Sequence, residues 1–89
     1  MKTYHVYILR CADGSYYTDF TSNLKMKLKS HLSGTCKSTS HRMPAELVFS
    51  TEVAVPALAI AAKRKINRWS KDKKEALING EFARLSQLV

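Results

Sequence analysis

The chain has 89 residues, with fifteen Lys plus Arg against seven Asp plus Glu and a net charge of +8; this bounds it to one small domain with a modest core and favours a polyanionic partner, nucleic acid by default. A hydrophobic content of 45% excludes wholesale disorder, and two cysteines without CxxC spacing, Cys11 and Cys36, exclude a disulfide scaffold and point to buried free thiols in a reducing compartment. No stretch approaches the roughly 20 apolar residues of a membrane span and residues 1–5 hold no signal-peptide core, so a cytoplasmic protein with no membrane partner is expected.

Residues 4–10 and 15–20 are rich in β-branched and aromatic types. They flank Ala12-Asp13-Gly14-Ser15, a turn in which Gly14 can take a positive φ at no steric cost. A β-hairpin is expected. Alternation sorts its side chains: His5, Tyr7 and Leu9 oppose Val6 and Ile8 on the first strand. On the second, Tyr17 and Asp19 oppose Tyr16, Thr18 and Phe20. Tyr7 and Tyr17 can thus lie on one side of the hairpin, although tyrosines in strands are common for packing reasons alone.

Ser22 or Thr21 can cap a helix whose apolar positions, Leu24, Leu28 and Leu32, recur every four residues. Gly34 is placed to stop it. Lys25, Lys27 and Lys29 fall on its more polar sides. His31 falls in the last turn, where the helix dipole favours a protonated ring; taken alone it reads equally as a half-exposed helix-end histidine. Residues 35–43 read as a loop, and Pro44 biases Met43 towards an extended conformation. Residues 46–53 read as a third strand joining the hairpin. Pro56 is suited to opening a second helix, with Leu58, Ala59, Ala62, Ile66 and Trp69 as its inward stripe and Trp69 as a core anchor. Ser70 caps a third helix over residues 71–79, Gly80 stops it, and a short final helix is expected over residues 82–88.

The order β-β-α-β-α-α predicts an α+β fold, a small three-stranded sheet flanked by helices, in a single domain spanning residues 1–89. Residues 63–74 hold Lys63, Arg64, Lys65, Arg68, Lys71, Lys73 and Lys74 against Asp72 alone. This densest charge in the chain suits tracking phosphates without reading bases. Lys25, Lys29 and Arg42 complete the expected nucleic-acid-binding set.

With these pieces in order, the sequence resembles a small single-domain, UPF0213-like member of the GIY-YIG nuclease family. Its first motif aligns with His5-Val6-Tyr7 and its second with Tyr17-Thr18-Asp19. The similarity continues through Leu24, Leu28 and His31, through Pro44-Ala45-Glu46-Leu47-Val48, and through Ile66, Trp69-Ser70 and Lys73-Lys74-Glu75-Ala76-Leu77-Ile78. Each piece is weak; their order and spacing together are specific, and they cover nearly the whole chain.

The resemblance implies phosphodiester cleavage assisted by a divalent metal. In the family, tyrosines of the two motifs position or deprotonate the attacking water. An arginine on the first helix stabilises phosphate charge beside a histidine or tyrosine, and a glutamate on the second helix holds the metal. The equivalent positions here are Tyr7, Tyr17, Lys27, His31 and Lys63. Lys27 keeps the charge of the arginine and loses its planar fork. Asp19 stands where the family has glycine, Glu81 where asparagine is expected, and Lys37-Ser38-Thr39-Ser40 where Lys-Tyr-Thr-Arg is usual. Lys63 stands for the metal-binding glutamate, and residues 57–69 contain no carboxylate. An ammonium has no lone pair for a metal, and two like charges near ~4 Å repel by several kcal/mol at intermediate dielectric.

Lys63 also lies at the edge of the inward stripe, where a partly buried ammonium needs a partner. Asp19 or Glu81 is expected to supply it, and a nitrogen more than about 6 Å from both would count against the pair. These departures lead to an expected nucleic-acid-binding domain, for DNA rather than RNA, with cleavage lost, no cofactor and no metal ligand set. The alternative is an active endonuclease with Mg²⁺ or Mn²⁺ held by Asp19 or Glu81.

Overall fold

The computed structural model describes residues 3–33 and 43–81. Cys36, residues 37–40, Arg42, the Gly34 stop and the helix expected over residues 82–88 lie outside them. The elements are β1 (Tyr4–Cys11), β2 (Tyr16–Thr21), α1 (Leu24–Leu32), β3 (Ala45–Val53), α2 (Pro56–Asn67) and α3 (Lys71–Ile78). The expected β-β-α-β-α-α order and α+β class hold, and the strand order is β2-β1-β3 with both pairings antiparallel.

The hairpin forms as its turn chemistry dictates. Gly14 has φ +83°, the amides of Cys11 and Gly14 bond Ser15 O and Cys11 O, and Asp13 Oδ1 accepts from the Ser15 amide at 3.0 Å. The resulting register sets Tyr7 opposite Asp19, Leu9 opposite Tyr17, and Val6 opposite Phe20.

As the central strand, β1 is covered on both faces, and two cores form back to back. On one face Val6 and Ile8 pack with Ala59 and Ile66 of α2, joined by Phe20, Ala62, Trp69 and Leu77. On the other, Tyr7, Leu9, Cys11 and Ala45 pack with Tyr17, Leu24 and Leu28. A register shift in the β1–β3 ladder between Ile8 and Leu9 gives β3 one extra residue, so Val48 and its neighbour Phe49 both join the first core. Thr18 is buried in the sheet with its hydroxyl lacking a hydrogen-bond partner among the described residues.

The helix caps refine the sequence reading. Asn23, rather than Ser22 or Thr21, caps α1, its side chain accepting from the Met26 amide at 3.2 Å; Thr21 Oγ1 instead accepts from the Asn23 amide. A helix starting at Leu24 turns Leu32 outward, 64% exposed, and Leu58 in the first turn of α2 likewise projects into solvent at 60%. Neither joins the core expected of it. Pro56 opens α2 as expected. Ser70 caps α3 through a bond from the Lys73 amide at 3.2 Å, and α3 ends one residue earlier than expected.

Candidate functional site

The site is built where α1 and α2 meet the hairpin from opposite sides. Strand alternation and the observed register bring Tyr7, Tyr17 and Asp19 to one face, under α1. Tyr7 is fully buried, and its hydroxyl lies in a hydrogen bond 3.0 Å from His31 Nε2. The Tyr17 ring meets the same imidazole edge-on, with centroids 5.3 Å apart. The Tyr17 hydroxyl donates to Asp19 Oδ2 at 2.8 Å.

His31 differs from its sequence reading. It is 1% exposed, and the helix end does not keep it protonated. Burial disfavours the imidazolium and the Lys27 ammonium repels it; Asp19 offsets this in part, and the net effect is a lowered pKa. His31 is therefore a neutral ring wedged against two phenols.

Asp19 is tied on every side. Burial alone would raise its carboxyl. The bonds from Lys63, from the Phe20 amide and from Tyr17, with the Lys63 charge, outweigh that and hold its pKa below the ordinary value. Oδ1 accepts from the Phe20 amide at 2.8 Å and lies 3.0 Å from Lys63 Nζ.

Lys63 reaches this carboxylate from the other side of the sheet. Its helix packs on the Val6 and Ile8 face through Ala59, Ala62 and Ile66. Because β2 is an edge strand, the long side chain can pass its rim, running over the Phe20 ring with Nζ 5.7 Å from the centroid. Of the two acids expected as partners, Asp19 is the one engaged. Glu81 accepts from Asn79 Nδ2 at 3.3 Å instead.

The five positions to which the resemblance points are linked: Tyr7 and Tyr17 meet His31, Lys63 joins through Asp19, and Lys27 is half-buried close enough to act on His31. Phe20 was missed in the sequence, since its face points away from the tyrosines; only the edge position of β2 makes it part of the site. Of the expected phosphate-tracking residues, Lys25 and Lys29 are exposed on α1, and Arg64, Arg68 and Lys71 on α2 and the start of α3. Lys73 and Lys74 are half-buried, and Lys73 Nζ sits 4.4 Å from the Trp69 ring centroid. Trp69 packs on the first core, as an anchor should. Arg42 lies outside the described residues.

A divalent metal, as the resemblance implies, does not fit this donor set. Both oxygens of Asp19 are already engaged, one of them by an ammonium. No group of three or more His, Cys, Asp and Glu side chains comes together among the described residues. A lone carboxylate neutralised by a lysine leaves no net negative charge to repay dehydration of such an ion.

The model of the GIY-YIG catalytic domain matches residues 3–76. A UPF0213 protein of Lacticaseibacillus paracasei is 33% identical over 78 residues, covering 86% of this chain and 88% of that one. A UPF0213 protein of Bacillus pumilus is 34% identical over 76 residues, covering 84% and 78%. The solution NMR structure of the UPF0213 protein BH0048 from Bacillus halodurans superposes with a TM-score of 0.58 at 35% identity, over 86% of this chain and 83% of that one. No helix among the described residues is long and apolar enough to cross a membrane.

Proposed function

The chain belongs to the GIY-YIG domain family, as a small member with UPF0213 relatives, and from that premise we propose that it binds nucleic acid, DNA rather than RNA, through its basic face without cutting it. The observation that carries this reading is the 3.0 Å contact between Lys63 Nζ and Asp19 Oδ1. The position where the family holds a metal with a carboxylate carries a cation of the protein's own. Tyr7 and Tyr17 both meet His31, and Tyr17 bonds the Asp19 that pairs with Lys63; on this reading the scaffold is kept and the electrophile is lost.

Binding is assigned to Arg64, Lys65, Arg68 and Lys71, exposed along α2 and into α3, with Lys25 and Lys29 on α1. Contacts of this kind neutralise phosphates, release counterions and carry little sequence preference. Lys27 adds a cation beside the tyrosine site; it can attract a phosphate but cannot grip one bidentately as an arginine does.

The test is binding and cleavage measured together on duplex and branched DNA. The wild type should bind with an affinity that falls linearly in log–log form as salt rises, and should leave the DNA intact in Mg²⁺ or Mn²⁺. A Lys63→Glu variant, which pairs a second carboxylate with Asp19, should gain metal-dependent cleavage. Cleavage by the wild type that disappears in Tyr17→Phe would overturn the reading in favour of an active endonuclease with Asp19 or Glu81 as ligand. Absence of DNA binding at low salt would overturn the binding half.

A further inference from the structure

On the side of the hairpin away from the buried Tyr7–His31 pair, a cleft of about 340 Å³ opens between the turn and α3, lined by Arg10, Tyr16, Lys71, Glu75, Ile78 and Asn79. Its volume falls in the range of small-molecule sites. We infer that this cleft receives a single unpaired nucleotide of a bound strand, the base against Arg10 and Tyr16 and the phosphate at Lys71. The inference rests on the nucleic-acid-binding reading above.

Three observations carry it. First, the wall of the cleft is pre-organised. The Tyr16 hydroxyl donates to Glu75 Oε1 at 3.2 Å across 59 residues of sequence, fixing ring and carboxylate together. The Arg10 guanidinium lies 6.0 Å from the Tyr16 centroid and pairs with Glu46 Oε1 at 3.2 Å. A guanidinium beside a ring offers a flat cationic surface, and bases stack on such planes as they do on aromatic rings.

Second, the polar groups suit a base edge. Glu75 uses Oε1 for Tyr16, and its other oxygen is an acceptor for an amino proton. Asn79 donates through Nδ2 to Glu81, and its amide oxygen is a second acceptor. Acceptors of this kind favour bases carrying an exocyclic amine, adenine, cytosine or guanine, over uracil and thymine.

Third, the cleft is continuous with the basic run. Lys71 lines the cleft and also belongs to the residue 63–74 stretch. It is exposed and forms no ion pair among the described residues, so a phosphate is its available partner. A backbone following Arg64, Arg68 and Lys71 arrives at the cleft mouth.

The experiment is a titration of ¹⁵N-labelled protein with nucleoside 5′-monophosphates, followed through its amide resonances, beside duplex binding by anisotropy. AMP, CMP and GMP should shift the amides of Arg10, Tyr16, Glu75 and Asn79, with UMP and inorganic phosphate at least about fivefold weaker. An Arg10→Lys variant keeps the charge at an exposed position and removes the plane. It should lose about tenfold in mononucleotide affinity while its amide spectrum stays folded and its duplex affinity stays within about twofold. Nucleotides that shift only the residue 63–74 amides, or an Arg10→Lys affinity equal to wild type, overturn the cleft while leaving duplex binding standing. Loss of both duplex and mononucleotide binding in the wild type overturns this inference and the binding reading together.

Discussion

Lys63 reaches from α2 past the rim of the edge strand β2 and pairs with Asp19 at 3.0 Å, and the pair is shielded enough, with side-chain exposures of 33% and 17%, for its removal to matter. A Lys63→Met variant leaves a half-buried carboxylate with two remaining donors, Tyr17 and the Phe20 amide. It should lose about 1–2 kcal/mol of stability, a value reduced from that of fully buried pairs because both groups keep some water. Adding Asp19→Asn should recover part of that loss, since the stranded charge is then gone. Urea unfolding of the two single variants and the double variant measures the coupling; additive losses would show that the pair contributes nothing.

At the scale of elements, side-chain caps close the starts of α1 and α3, and Pro56 opens α2. The end of α3 is closed as well. Gly80 has φ +72°, its amide bonds Leu77 O, and the Glu81 amide reaches back to Ala76 O at 2.8 Å. This is the paired pattern that satisfies the last carbonyls of a helix. A Cβ at Gly80 would meet no atom of the described residues within 4 Å, so the cost expected of substitution there is the conformational one. Gly80→Ala should destabilise by about 1 kcal/mol, read as a lower thermal midpoint, with unchanged affinity for duplex DNA.

For the molecule as a whole, two lowered pKa values, of the buried His31 and the half-buried Asp19, weaken the fold towards acid pH. His31 is held below the ordinary histidine value of 6.5, so its neutral form stabilises the fold fully above that pH. The unfolded chain takes up the proton first, and the contribution drains away as pH falls from there through the folded-state value. Asp19, held below 3.8, stabilises fully above that pH and loses its contribution as pH falls through its own folded-state value. Chemical denaturation should therefore give a plateau near pH 7–8, as far as these two groups decide it. A first decline should appear below about 6.5 and a further one below about 3.8. An NMR titration of the His31 ring should place its midpoint under 6.5; a midpoint above it would remove the first step.

The described elements and their order were legible along the chain, because turn residues, periodicity and caps act over a few neighbours. Gly14, Pro56, Ser70 and Gly80 stand where they were read. Alternation put Asp19 beside Tyr17 and allowed Tyr7 the same side, which the hairpin register then fixed, and the sign of the charge at position 63 was plain from the letters. The burial of His31, the exposure of Leu32 and Leu58, the choice of Asp19 over Glu81, and the meeting of Tyr16 with Glu75 were decided only by tertiary structure. Each depends on where a helix sits over a sheet of finite width. Desolvation and side-chain reach arise from that three-dimensional closure and not from the spacing of residues along the chain.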